Sequence, residues 1–220
     1  MEAERNINVV TERDNVYPEQ SRRIKSVVGD KDMNKLNWLK FIEFWSQFYN
    51  DSQNLDEKFY YPNISNEGLL KPDALDELWL WKMGQYYFKI FQKQIKLIKE
   101  EKGAILKLRK SNFNHEVLYN FSKRFFPSGL IYQIFLMHIC KPEEYPIFDQ
   151  HVFRAFTFIT KKEMAHKPKN IKDYWKYREF VFQIYKEYKI SLRDIDKGLM
   201  AFGQFLANPS KILKYQCHGH

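Results

Sequence analysis

The sequence predicts an all-α protein of about seven to ten helices. Apolar residues recur at the three- and four-residue spacing of a helix face through most of the 220 residues. Only 8 glycines and 8 prolines are present, and many of them stand between these runs, as is typical of helices joined by short turns. A hydrophobic share of 44% and an aromatic share of 17% are enough for the core of a single domain.

The N-terminal third is expected to hold one helix between two polar stretches. Residues 1–32 are polar and predict a flexible arm ahead of a single helical domain over residues 33–220. A broad apolar face predicts the first helix from Asn34 to Tyr49. Residues 50–72 are rich in turn formers and predict a loop. The aromatic residues on this loop either anchor it to the core or stack on a ligand; they are Phe59, Tyr60 and Tyr61.

The rest of the chain is expected to be mostly helical. A long helix should run from Pro72, in its first turn, to a stop at Gly103, with a kink or a division at Gly84. Ser191 and Asp194 stand at capping-box spacing before the last periodic run. The later runs predict helices over His115–Lys123, Leu130–Cys140, a stretch that starts at or just after Asp149, Asn170–Tyr188 and Leu192–Ala207.

Charge and composition narrow the possible partners. The net charge of +9 favours a polyanion such as nucleic acid. Cys140 and Cys217 are too few and too far apart for a disulfide framework, a zinc site or an iron–sulfur cluster, so no metal and no cofactor are expected. No run reaches the roughly 18 apolar residues of a membrane helix. We therefore expect a cytoplasmic monomer without a membrane partner, associated with the nucleoid if the source is bacterial.

The segment from Phe126 to Arg154 has the clearest chemical pattern. Two periodic runs with a Pro-Ser-Gly turn between them predict a helical hairpin over about residues 115–140. Pro146 disfavours a helical backbone at Tyr145, so the chain should run extended toward the next helix. Asp149 is then expected at that helix's N-terminus, in a segment that spans residues 145–154.

The string Tyr145-Pro146-Ile147-Phe148-Asp149-Gln150-His151-Val152-Phe153-Arg154 resembles a known signature. It is similar to the aspartate motif of the helix-hairpin-helix base-excision DNA glycosylases, the superfamily of endonuclease III, the adenine-mismatch glycosylase and 8-oxoguanine glycosylase. In that family an apolar run precedes Asp-x-His or Asp-x-Asn. The match covers about ten residues closely and about thirty loosely. It implies a two-lobed helical fold with a cleft between the lobes, and double-stranded DNA as the partner.

Departures from the family pattern narrow the implied chemistry. The family's hairpin usually reads Leu-Pro-Gly-x-Gly, whereas this chain has Phe126-Pro127-Ser128-Gly129 with a single glycine. Bifunctional members carry a Schiff-base lysine roughly 18 or 19 residues before the aspartate. Leu130 and Ile131 occupy those positions here. The four-cysteine iron–sulfur loop of endonuclease III is absent too. The resemblance thus implies a monofunctional N-glycosylase, and abasic-site lyase activity is not expected.

The resemblance assigns the catalytic role to Asp149. A glycosylase flips its target base into a pocket and breaks the bond between base and sugar through a transition state like an oxocarbenium ion. A fixed carboxylate would stabilise that charge and could orient or deprotonate the attacking water. The structural alternative is an aspartate that only caps its helix.

The DNA-contacting residues follow from the same resemblance. Backbone N–H groups of Ser128, Gly129 and Leu130 would bind phosphate, or would form an ordinary helix–helix turn. His151 and Arg154 would lie near the DNA backbone, or would be a surface histidine and an ion-pairing arginine. The candidates for stacking on a flipped base could each belong to the core instead; they are Tyr60, Tyr61, Trp79, Trp81 and Tyr132.

Two other functions stay open at this point. A DNA-binding protein with the same fold but without catalysis would account for the degenerate hairpin. A metal-dependent nuclease is disfavoured, because no Asp, Glu and His cluster has metal-ligand spacing.

Overall fold

The computed structural model describes residues 37–49, 57–161, 165 and 167–208. Every regular element in these ranges is a helix, which confirms the all-α prediction. The arm expected over residues 1–32 and the expected helix start at Asn34 lie outside the described residues. In the part of the chain that is described, no helix has both the length and the apolar character that a bilayer-crossing segment needs.

Ten α-helices and one short 3-10 helix make up the described fold. The 3-10 helix is Gly68–Leu70. In chain order the α-helices are α1 (Trp38–Ser46), α2 (Glu57–Ile64), α3 (Ala74–Ile90), α4 (Gln92–Glu100), α5 (Lys102–Lys110), α6 (His115–Lys123), α7 (Leu130–Cys140), α8 (Gln150–Lys161), α9 (Ile171–Tyr188) and α10 (Leu192–Ala207).

The region expected to be a loop contains α2, so that prediction was wrong there. Tyr60 is buried, and its ring lies 4.7 Å from that of Trp81 on α3. The Asn63 amide donates to the Phe59 carbonyl at 2.8 Å and to the carboxylate of Glu77. These contacts with α3 outweigh the local preference of Asn and Pro residues for turns, because tertiary packing routinely overrides weak propensities.

The helix expected over residues 72–103 is three helices. Gly84, with φ 67° and ψ 166°, interrupts α3 in a conformation that only glycine adopts readily. The chain bends again at Phe91, which separates α3 from α4, and at Glu101, which separates α4 from α5. Gly103 lies inside α5 and does not end a helix, since an exposed glycine weakens a helix without stopping it.

Helix α10 packs closely against both α8 and α1 at two glycines. A Cβ on Gly203 would lie 2.0 Å from the carbonyl oxygen of His151 on α8. A Cβ on Gly198 would lie 2.9 Å from Cδ1 and 3.3 Å from Cα of Ile42 on α1. Next to these crossings, Phe202 contacts the α1 aromatic residue Phe41, with ring centroids 5.2 Å apart. The close approach at Gly203 therefore sets the distance between the start of α8 and α10.

The hairpin helices α6 and α7 have the predicted bounds and pack against each other. A buried side chain stabilises the turn between them: Gln133 donates to the carbonyls of Phe126 and, at 3.3 Å, Pro127. Helix α7 is buried over most of its length. It leads directly to the segment that carries Asp149.

Candidate functional site around Asp149

Asp149 caps the N-terminus of α8. Its Oδ1 accepts the backbone N–H groups of His151 at 2.6 Å and Val152 at 3.0 Å. The side chain is partly exposed, so solvent can reach the carboxylate. Two hydrogen bonds and the positive end of the helix dipole hold a negative charge at one position.

The extended segment before Asp149 is held by two tyrosines of α9. The Tyr174 hydroxyl donates to the Pro146 carbonyl at 3.3 Å, and the Tyr177 hydroxyl donates to the Ile147 carbonyl at 3.2 Å. The Phe148 ring packs against both tyrosines, with centroids 5.2 Å and 5.1 Å away. Because the backbone is fixed on one side by these bonds, the carboxylate that follows it is fixed as well.

The side chain of Lys82 on α3 contacts the same extended segment before Asp149. Its Nζ donates to the carbonyl of Phe148, the residue before Asp149, at 3.0 Å, and lies 5.6 Å from the centre of the Phe135 ring. Burial lowers the pKa of Lys82, and the charges of Asp149 and Asp196 act in the opposite direction. This contact could not be predicted from the sequence, since Lys82 is 66 residues from Phe148 and has the spacing of any lysine on an amphipathic helix.

A buried ion cluster on α10 lies beside Asp149. The Arg193 guanidinium pairs with Asp196 and with Glu57, and donates to the Tyr49 hydroxyl at 2.9 Å. Burial raises the pKa of Asp196 to about 6; Arg193 opposes this, and the negative charge of Asp149 adds to it. Asp149 and Asp196 are therefore close enough to repel each other electrostatically.

A cavity of about 650 Å³ opens next to this cluster. It is enclosed by α2, the end of α7, residues 141–147 and the start of α10. Arg193 and Asp196 are part of its wall, together with Tyr60 and Tyr61; Asp149 is not.

A hydrogen-bonded histidine stabilises the cavity wall. His138 Nδ1 lies 2.7 Å from the Tyr145 carbonyl oxygen, which can only accept, so Nδ1 carries the proton. Nε2 then accepts from the Tyr60 hydroxyl at 2.8 Å. Burial lowers the pKa of His138 to about 3, which keeps the ring neutral.

The structure brings three of the five predicted base-stacking residues together and separates two. Tyr60 and Tyr61 line the cavity, and Trp81 packs on Tyr60 from behind. Trp79 is fully buried in the core against Phe135 and Phe126. Tyr132 packs on Phe91 and Phe126, with ring centroids 5.1 Å and 5.4 Å away, and is not part of the cavity wall.

The hairpin turn offers fewer free amides than the sequence suggested. The Gly129 N–H donates to the Phe126 carbonyl at 3.2 Å, so this amide is used inside the turn and does not point to a ligand. Ser128 is exposed, and Leu130 starts α7. First-turn amides such as that of Leu130 have no partner within their own helix.

His151 and Arg154 face α10. Arg154 is only 7% exposed, and its Nη1 donates to the Gly203 carbonyl at 2.9 Å and to His151 Nδ1 at 3.0 Å. Burial, the largest cause, lowers the pKa of His151. The expected phosphate contact of Arg154 therefore does not fit the structure, because the Arg154 guanidinium is buried and donates to the backbone carbonyl of Gly203.

Among the residues that the structure describes, no three His, Cys, Asp or Glu side chains are grouped to hold a metal ion. Searches of protein-family models, curated proteins and solved structures find no match for this chain. The site's chemistry is therefore inferred from its own residues and from the resemblance over residues 126–154.

Proposed function

We propose that the protein is a monofunctional DNA glycosylase that hydrolyses the bond between deoxyribose and a damaged or modified base, with Asp149 as the catalytic carboxylate. One observation carries this proposal. Asp149 is partly exposed and is held by two backbone N–H groups at the N-terminus of α8. Both features are needed for a carboxylate that acts on a bound substrate without first reorganising.

The reaction needs a negative charge beside the sugar. As the base leaves, C1′ of deoxyribose gains positive charge, and a fixed anion lowers the energy of that state. Removal of one such preorganised group costs about 10²- to 10³-fold in rate in well-studied enzymes. Asp149 could also orient the water that attacks C1′ and accept its proton.

The cavity is the proposed binding place for the flipped base. Its volume of about 650 Å³ exceeds what one base occupies and is within the range of ligand pockets. Tyr61 is 49% exposed, with Lys197 Nζ 5.8 Å from the centre of its ring, whereas Tyr60 is buried. Arg193 and Asp196 supply polar groups at the wall, and the charge of Asp149 acts on Asp196. We therefore assign stacking to Tyr61.

Double-stranded DNA is the proposed partner, in a two-lobed glycosylase fold with a cleft between the lobes. The net charge of +9 favours it. The proposed phosphate contacts are the exposed turn residue Ser128 and the first-turn amide of Leu130. Association with the nucleoid would follow from this partner in a bacterium.

An assay of base release tests the proposal. Duplexes that each carry one oxidised, alkylated, mispaired or otherwise modified base are incubated with the protein and then cleaved with hot alkali. Release that is lost in Asp149→Asn and kept in Asp173→Asn supports the proposal, because Asp173 is also a helix-capping aspartate but serves α9. Salt-sensitive DNA binding without release from any duplex would favour a DNA-binding protein that lacks catalysis.

A further inference from the structure

Two exposed tyrosines at the end of α3 have no part in the proposed function. Tyr86 is 72% exposed, more than any other large apolar or aromatic side chain that the structure describes, and Tyr87 is 51% exposed. Their rings contact each other edge to face, with centroids 5.2 Å apart. Ile90, one turn further along, is 55% exposed. Aromatic surface that is this open to water marks an interaction site.

The packing on either side of the tyrosines holds them next to the hairpin. Gly84 separates residues 85–90 from the part of α3 that packs into the core. Phe91, which follows them, packs on Tyr132 of the hairpin helix α7, with ring centroids 5.1 Å apart. Burial raises the pKa of Tyr132, and the nearby hydroxyl of Tyr87 adds to this effect. The exposed rings are therefore carried on an anchored backbone.

Three lysines without an ion pair follow the tyrosines along the chain. Lys89 is one turn from Tyr86, and Lys93 and Lys96 share the exposed face of α4. Among the residues that the structure describes, no carboxylate pairs with any of the three. Residues 78–99 contain no Asp or Glu at all. The charge beside the aromatic rings is therefore positive and is complementary to that of a polyanion.

Aromatic rings and free lysines together fit one kind of partner. We propose that the surface formed by Tyr86, Tyr87, Lys89, Lys93 and Lys96 binds single-stranded nucleic acid, a function beyond the proposed base excision. Unpaired bases stack on the tyrosine rings, and the lysines neutralise phosphates. A single strand fits better than a duplex, because a duplex covers the faces of its bases and presents only their edges and its phosphates.

A membrane and a second copy of the chain fit this surface less well. A helix that lies on a membrane needs a continuous apolar stripe, whereas Gln85, Lys89 and Gln92 interrupt the exposed apolar residues here. A symmetric dimer through the same surface would bring unpaired lysines of the two copies together, and like charges repel. Nucleic acid uses both the rings and the charges.

Fluorescence anisotropy with a labelled oligothymidylate tests the inference, and a labelled oligouridylate shows whether DNA or RNA is preferred. Neither probe carries a modified base, so the result does not depend on base release. We expect Tyr86→Ala and Tyr87→Ala each to weaken binding at least about fivefold. Tyr86→Phe keeps the ring and should bind as the wild type does. Tyr185→Ala removes an exposed ring from α9 and should change nothing.

The salt dependence of binding separates the lysines from the tyrosines. For a single strand, each lost lysine–phosphate contact makes the plot of log affinity against log salt concentration shallower by about 0.7. Lys89→Gln and Lys93→Gln should each show this change, and Lys176→Gln, at an exposed position of α9, should not. The two tyrosine-to-alanine variants should lose affinity without a change of slope.

Photocrosslinking keeps the inference testable if a variant fails to fold. An oligonucleotide with iodouracil crosslinks to aromatic rings that stack on the base, and a crosslink at Tyr86 or Tyr87 of the wild type supports the inference. Absence of oligonucleotide binding, binding that neither alanine variant weakens, or crosslinks only at other residues overturns it. Binding to phosphatidylglycerol vesicles or dimerisation that depends on Tyr86, in place of oligonucleotide binding, overturns it as well.

Discussion

The contact between α8 and α10 makes a sharp prediction about Gly203. An alanine Cβ there would lie 2.0 Å from the His151 carbonyl oxygen and 2.6 Å from its carbon. Ordinary contact begins at 3.4 Å, so the two helices must separate by more than 1 Å or tilt. Both obstructing atoms belong to the backbone and cannot rotate away. Overpacking of this kind costs about 1–3 kcal/mol, occasionally more.

Gly103 is the matched control, since it is also a helical glycine but has no atom within 4 Å of an added Cβ. Gly103→Ala should stabilise the protein by about 0.5–1 kcal/mol, because alanine is the better helix former. Gly203→Ala would have the same intrinsic gain, so the gap between the two variants measures the clash. In thermal unfolding we expect Gly203→Ala to melt roughly 2–12 °C below Gly103→Ala.

Gly198→Ala should fall between these two, because its nearest obstacle is the movable Cδ1 of Ile42. Equal melting temperatures for Gly203→Ala and Gly103→Ala would refute the close crossing of α8 and α10. The crossing also matters for function, since α8 starts at Gln150, directly after Asp149.

Three other predictions concern the site and its support. The pKa of Asp196 is about 6 in place of 3.8, so the stability contributed by the protonated carboxyl group is present below pH 4 and is lost as the pH rises through 6. In urea unfolding, the difference in unfolding free energy between the wild type and Asp196→Asn should change by about 3 kcal/mol over that range, and equal pH profiles of the two proteins would contradict the raised pKa. Tyr60→Phe leaves His138 Nε2 without its donor and should cost about 1–3 kcal/mol in the same assay, whereas no change would mean that the bond at 2.8 Å does not form. Asp149→Ala and Asn170→Ala each remove a helix cap and should each cost about 0.5–2 kcal/mol, but only Asp149→Ala should abolish base release.

Helices with a strong apolar period and clear end signals could be predicted from the sequence. The bounds of α6, α7 and α10 agree with the prediction; in the structure Asn114 caps α6 and Ser191 caps α10. Helix α2 was missed because its sequence is rich in residues that favour turns, and its stability depends on burying Tyr60 against distant helices.

The immediate surroundings of Asp149 could be predicted only in part. Its place at a helix N-terminus follows from Pro146 and the apolar residues next to it. The contact with Lys82 and the pairing of Arg193 with Asp196 and Glu57 join residues far apart in the chain. Helical periodicity shows which face is apolar, but it does not show which charged side chain is drawn inward by a carbonyl or a carboxylate on another helix.

The rate of base release under single-turnover conditions tests the central role of Asp149 most directly. It is measured for the wild type and Asp149→Asn on a duplex whose base the wild type releases. Asparagine keeps an oxygen that can accept the N–H groups of His151 and Val152, so the melting temperature should stay close to that of the wild type. We predict a rate at least about 10²-fold lower in the variant, because only the negative charge is lost. An Asp149→Asn protein that releases the base at the wild-type rate would contradict the assignment.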